Sequence, residues 1–159
     1  MAGETPATRA LRAAGAAFTL ARYDYDPGAG SIGLAAAEAL GEDPGRVLKT
    51  LMVKVDGKPA CAILASDRTL SMKRLAAAAG AKSAEMMAAP EAERMTGYKV
   101  GGISPLGQRK PVPLFLDEAA AAHPYVFVNG GQRGLQARLR PESLVEASGA
   151  KVAKISADE

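Results

Sequence analysis

An α+β fold is predicted for this chain of 159 residues, and three features of the sequence predict it. Capped, alanine-rich stretches of helical length are interspersed with short alternating or apolar runs. Hairpin spacings outnumber clear strand-helix-strand crossovers, and no repeat or low-complexity linker divides the chain, so residues 1–159 read as a single domain.

Each element has a local reason. Thr5 before Pro6 is an N-cap followed by proline at the first helical position, and Ala7, Leu11 and Ala14 share one face up to Gly15, giving a first helix. Residues 18–23 alternate as a strand does, and 26–30 (Asp-Pro-Gly-Ala-Gly) read as a flexible loop. Ser31 caps a second helix that runs to Leu40 and stops at Gly41, and Asp43-Pro44 starts a short helical turn. Strands at 47–55 and 60–66 flank Asp56-Gly57, a hairpin signal whose loop Lys58-Pro59 is expected to lengthen. Ser71 caps a helix through Ala79, ended by Gly80. A strand at 84–87 and a short helix at 90–95 follow. Strands at 112–116, 125–129 and 135–139, a helix at 141–147 and a last strand at 151–155 complete the chain.

Composition bounds the function. With 48% apolar and 23% charged residues the chain is globular, and its apolar stretches are too short to span a membrane. The start Met-Ala-Gly-Glu-Thr-Pro is no export signal, so a cytoplasmic protein is expected. One cysteine and one histidine exclude an internal disulfide and an ordinary zinc site, and no carboxylate pattern suggests another metal. No metal or cofactor is expected. The net charge of +3 is unevenly spread: residues 45–110 hold twelve Lys or Arg against five Asp or Glu, whereas 1–44 hold three against six. Such a basic middle suits phosphate contacts. With no tryptophan and 4% aromatic residues, RNA would be held by its backbone and terminal nucleotide rather than on a stacking platform.

Three blocks carry chemistry. Residues 97–110 pack four glycines, a proline, a serine and three cations (Lys99, Arg109, Lys110) into fourteen positions, which cannot form one regular element. Bare N–H groups beside cations suit an anionic or ester-bearing ligand. Lys49-Thr50 interrupts an apolar strand at 47–53, where a partly buried ammonium needs a purpose; a lysine there stays cationic and orients a phosphate or steadies an oxyanion. Residues 126–135 end an apolar run in Asn129-Gly130-Gly131. Ser104 lacks a nucleophile elbow, with His123 the one histidine available to activate it. Cys61, inside an apolar run, reads as core, and His123 as structural or exposed.

These blocks, in this order and at these separations, resemble the YbaK family of free-standing aminoacyl-tRNA deacylases, relatives of the editing domain of bacterial prolyl-tRNA synthetases. The likeness runs from Thr5-Pro6 through Tyr23-Asp-Tyr-Asp-Pro27 to the strand near Lys151. It implies a strongly curved mixed β-sheet flanked by helices, with a pocket at one open end. It further implies that Lys49, Gly101 and Gly102 organise the ester, the loop from Gly101 through Ile103 and Ser104 to Pro105 presenting N–H groups. Tyr23, Ile32, Thr50, Asn129 and Gly130 would line the pocket. Ile32 and Gln136 depart from the aromatic and the carboxylate that family members tend to carry, which bears on substrate choice. The resemblance implies a trans-editing hydrolase acting on Cys-tRNA(Pro), with Cys-tRNA(Cys) as a further substrate, through the thiol of the substrate cysteine. Its partners would be the tRNA and prolyl-tRNA synthetase, with no DNA or membrane. The alternatives are an Ala-tRNA(Pro) deacylase of the same superfamily and a non-catalytic tRNA- or synthetase-binding module.

Overall fold

The fold is described from a computed structural model covering residues 4–26, 28 and 31–158; Pro27, Ala29 and Gly30 of the expected flexible loop lie outside the described residues. Helix α1 (Pro6–Ala13) begins where the sequence caps it: the Thr8 N–H donates to the Thr5 hydroxyl and the Thr5 N–H to the Thr8 hydroxyl. There follow β1 (Phe18–Arg22), α2 (Ile32–Leu40), β2 (Leu48–Val55), β3 (Lys58–Ala65), α3 (Met72–Ala78), β4 (Ala84–Met86) and α4 (Ala89–Thr96). The chain then forms β5 (Leu114–Asp117), α5 (Glu118–Ala121), β6 (Val126–Asn129), β7 (Leu135–Leu139), α6 (Pro141–Ser148) and β8 (Lys151–Ala153).

The strands form a three-stranded sheet, β1-β7-β6, and a five-stranded sheet, β4-β2-β3-β5-β8. The two meet at a parallel bridge between Val47 and Phe127. The expected mixed sheet is thus realised in two joined parts, antiparallel except where β5 runs parallel to β3 and β8. Side chains alternate along β2 and so feed separate cores. Leu48 and Met52 join the largest cluster with Leu11, Cys61, Ile63, Leu116 and Leu144, whereas Val53 joins Leu75 of α3 and Phe115. Val47 packs with Phe127 under Ala36 and Ala37 of α2.

Four details differ from expectation. Lys58 pairs with Val55, so only Asp56 (φ 48°) and Gly57 (φ 79°) turn the hairpin and Lys58-Pro59 belong to β3. Two left-handed residues give a tight two-residue turn whose twist matches the strands. The strand expected from 112 starts at Leu114, because Pro111 and Pro113 carry no N–H for a ladder. The last strand ends at Ala153 because Oδ1 of buried Asp117 accepts from the Ile155 and Ser156 N–H groups at 3.0 and 3.1 Å, drawing the chain off the sheet. Finally, α5 is a single turn, too short to show a hydrophobic period.

Candidate active site

The bridge between Val47 and Phe127 sets the site. Their side chains share the face covered by α2, and two residues further along each strand Lys49 and Asn129 point to that same face. Gln136 is paired with Asn129 on one side and with Ala21 on the other, and Tyr23 follows Ala21 by two residues. Lys49, Tyr23, Asn129 and Gln136 thus stand on one surface, beneath α2. The first turn of α2, with half-buried Ile32, is held there by Gly33, where a Cβ would overlap the Ser66 side chain. That serine is fixed in turn, donating its hydroxyl to the Val47 carbonyl.

Polar groups on this surface lack partners. Lys49 is half-buried and takes part in no ion pair among the described residues. Burial pushes its ammonium below the ordinary lysine value, and the nearby Asp67 carboxylate opposes the shift. The Tyr23 hydroxyl and Gln136 Oε1 are buried without a hydrogen-bond partner. Burial raises the Tyr23 phenol, and Gln136 lies close enough to offset part of that rise without reaching hydrogen-bond geometry. Buried polar atoms left open in a cleft mark a place where a ligand or water completes the set.

The glycine loop is clamped from three sides. Asn129 Nδ2 donates to the Gly101 carbonyl at 3.1 Å, while its Oδ1 accepts from the Gly131 and Gln132 N–H groups at 2.7 and 3.1 Å. Those two accepted bonds fix the orientation of the amide. Arg133 Nε donates to the Val100 carbonyl at 2.9 Å, and Glu93 accepts from the Val100 N–H at 2.8 Å. Tyr25, under the Arg133 guanidinium, fills the space beside Gly101: its hydroxyl oxygen would stand 2.6 Å from a Cβ there. With φ of +92°, Gly101 is a position for glycine on conformational grounds as well.

Several expected contacts are corrected. Gly102 meets no open cleft: a Cβ there would lie 2.8 Å from the Arg133 backbone nitrogen, and its N–H is already given to the Lys99 carbonyl at 2.8 Å. Ser104 is fully buried, with its hydroxyl accepting from the Leu106 N–H, and Pro105 is buried beside it. Ile103 packs on the main core. The side chains of the second half of the loop therefore anchor it in the protein. Thr50 points to the main-core side of β2, away from Lys49, although its Oγ1 is also buried without a partner. Gly130 donates its N–H to the Leu135 carbonyl and accepts from the Thr5 hydroxyl, so its backbone is engaged, and Asn129 closes the turn.

Cys61 is fully buried, which pushes its thiol up to about 12, and His123 lies against Gly45 in the turn before β2. Lys99, Arg109 and Lys110 are exposed. Among the described residues no group of three or more His, Cys, Asp or Glu is placed to hold a metal, and no helix is long and apolar enough to cross a membrane. Tyr25, Asp67 and Arg133 are parts of the site that residue type alone does not single out. The one signal for Tyr25 is its i, i+2 spacing from Tyr23.

Comparison with known proteins gives the class. Residues 26–147 match the aminoacyl-tRNA editing domain family. The chain belongs to that family and is a deacylase of the hydrolase class. More particularly, it is 38% identical over 125 residues, 77% of this chain and 76% of the other, to an Enterococcus faecalis protein provisionally named Cys-tRNA(Pro)/Cys-tRNA(Cys) deacylase EbsC. A proline–tRNA ligase of Nitratidesulfovibrio vulgaris is 34% identical over 113 residues, which are 71% of this chain but 18% of the ligase, so the likeness is to one segment of a much longer enzyme. Among solved structures, a hypothetical protein superposes with a TM-score of 0.85 at 26% identity, covering 96% of this chain and 100% of the other. A crystal structure described as a candidate trans-editing enzyme for prolyl-tRNA synthetase gives 0.78 at 22%, covering 98% and 99%; at that identity the likeness shows the fold alone.

Proposed function

We propose that this chain is a trans-editing deacylase that removes cysteine from tRNA(Pro), with Cys-tRNA(Cys) as a further substrate. The observation that carries the reading is the cluster of half-buried Lys49 with the partnerless Tyr23 hydroxyl and Gln136 Oε1 on the surface beneath α2. Two candidate protein nucleophiles are disposed of by burial: Cys61 sits in the core with a raised pKa, and Ser104 is sealed in its turn. The substrate's own thiol fits this arrangement. Its thiolate attacks the ester carbonyl carbon, the C–O bond breaks, and the terminal ribose oxygen leaves with the proton the thiol gave up. The resulting thiolactone is opened by water to free cysteine. The protein's share is to fold the ester into that geometry and steady the oxyanion, through the Lys49 ammonium and the Gly101 N–H, which meets no acceptor among the described residues. Its likeness to a segment of proline–tRNA ligases supports delivery of the tRNA by prolyl-tRNA synthetase.

Lys49→Ala tests the reading. Deacylation of Cys-tRNA(Pro) is expected to fall by about 100-fold or more, the scale of losing one oxyanion donor, with the melting temperature nearly unchanged because the ammonium has no ion-pair partner to strand. Activity within a few-fold of wild type would remove Lys49 from the chemistry.

A further inference from the structure

The functional reading leaves a second cluster of cations unused, at the opposite end of α2 from Ile32. The Cζ atoms of Arg46 and Arg138 stand 4.9 and 3.9 Å from the centroid of the Tyr125 ring, hence within about 9 Å of each other. Arg46 Nη1 donates to the Tyr125 hydroxyl at 3.1 Å, and that hydroxyl donates to Glu42 Oε1 at 3.2 Å. Asp43, the next acid along, accepts from the Gly45 N–H. Neither arginine takes part in an ion pair among the described residues, and Arg46 Nε is buried with no partner. Arg138 also lines, with Phe18, Thr19, Tyr125 and Arg140, an open cavity of about 270 Å³.

Two guanidiniums fixed against one ring, with no carboxylate paired to either, form a preorganised anion receptor. Both Cζ atoms lie within cation–π range of the ring, and Arg46 gives one N–H to the phenol oxygen, so each planar fork keeps N–H groups from which backbone phosphate oxygens can accept. We propose that the cluster of Arg46, Tyr125 and Arg138 is a phosphate clamp for the sugar-phosphate backbone of the tRNA whose ester lies at Lys49. This rests on the functional reading above, and position supports it. Arg138 follows Gln136 by two residues on the same face of β7, about 7 Å away. The nine residues of α2 put the cluster about 14 Å from Ile32 along the helix. An RNA strand leaving the site along α2 passes it.

The test uses uncharged tRNA(Pro), so that it does not depend on turnover. Binding is followed against salt concentration for wild type, Arg138→Ala and the double variant Arg46→Ala/Arg138→Ala. The slope of log affinity against log salt is expected to fall by about one for the single and about two for the double variant, and Arg138→Lys to recover most of it. In deacylation the variants should raise KM several-fold with kcat unchanged. As a check that needs no variant, the Nε–H signals of Arg46 and Arg138 in wild-type protein should shift on titration with the RNA. Unchanged slopes, or signals that move with inorganic phosphate but not with RNA, would overturn the clamp. Absence of ester cleavage by the wild-type protein, alongside the expected fall in salt slope for the variants, would instead count against the functional reading and leave the clamp standing.

Discussion

Asn129→Asp isolates the clamp on the glycine loop with almost no change of shape. The side chain is 8% exposed, and the substitution keeps the oxygen that accepts from the Gly131 and Gln132 N–H groups. It replaces the Nδ2 donor, 3.1 Å from the Gly101 carbonyl, with a second oxygen. One buried hydrogen bond, about 1 kcal/mol, becomes an oxygen–oxygen repulsion, while the two accepted bonds gain strength from the charge. A net loss of roughly 1.5–3 kcal/mol in holding Gly101 corresponds to about 10- to 100-fold in the chemical step if the loop positions the ester. Single-turnover deacylation at saturating enzyme should show that loss, with tRNA affinity little altered. Lowering the pH protonates the aspartate and restores a donor, so the ratio of mutant to wild-type rate should rise toward acid. A folded Asn129→Asp protein that keeps the wild-type rate at neutral pH would refute the claim that Asn129 positions this loop.

The same geometry gives three further expected outcomes. Gly102→Ala would place its Cβ 2.8 Å from the Arg133 backbone nitrogen and 3.0 Å from the Gln132 carbonyl carbon, forcing two loops apart at a cost of about 1–3 kcal/mol; a melting temperature within a degree of wild type would contradict this. Because burial lowers the Lys49 pKa and the cation is taken as the active form, the enzymatic rate, corrected for spontaneous hydrolysis, should fall at a lower pH than for a solvated lysine. Asp67 raises that pKa, so Asp67→Asn should move the alkaline limb further down, and a limb that stays or moves up would remove Lys49 from the profile.

Much of this was legible in the residues. Caps at Thr5, Ser31 and Ser71 and the turn at Asp56-Gly57 located their elements because each is a local interaction of backbone with its own side chains. Lys49 could be singled out because a cation in an apolar strand is costly. What Gly101 and Gly102 touch could not be read. Glycine signals close approach without saying to what, and here Tyr25 and the backbone of Gln132–Arg133 occupy the space expected for a ligand. Likewise Ser104 and Gly130 carry groups that a ligand could use, but the long-range contact with Thr5 and the turns to Leu135 and Leu106 take them first. Asn129 was expected to line the pocket, and its hold on the Gly101 carbonyl, 28 residues away in sequence, is a tertiary contact that no local pattern announces.

Whether the substrate supplies its own nucleophile is decided by comparing cysteinyl, seryl and alanyl esters of one tRNA(Pro) under single turnover. Seryl and cysteinyl esters are nearly the same size, but a hydroxyl is a far poorer nucleophile than a thiol already a few per cent ionised at neutral pH. Rapid loss of cysteine with a trappable thiolactone, slow loss of serine and survival of the alanyl ester are expected. Rapid hydrolysis of the alanyl ester would contradict a substrate-supplied nucleophile and shift the assignment to the alanine-specific deacylase, with Ile32 the first residue to vary.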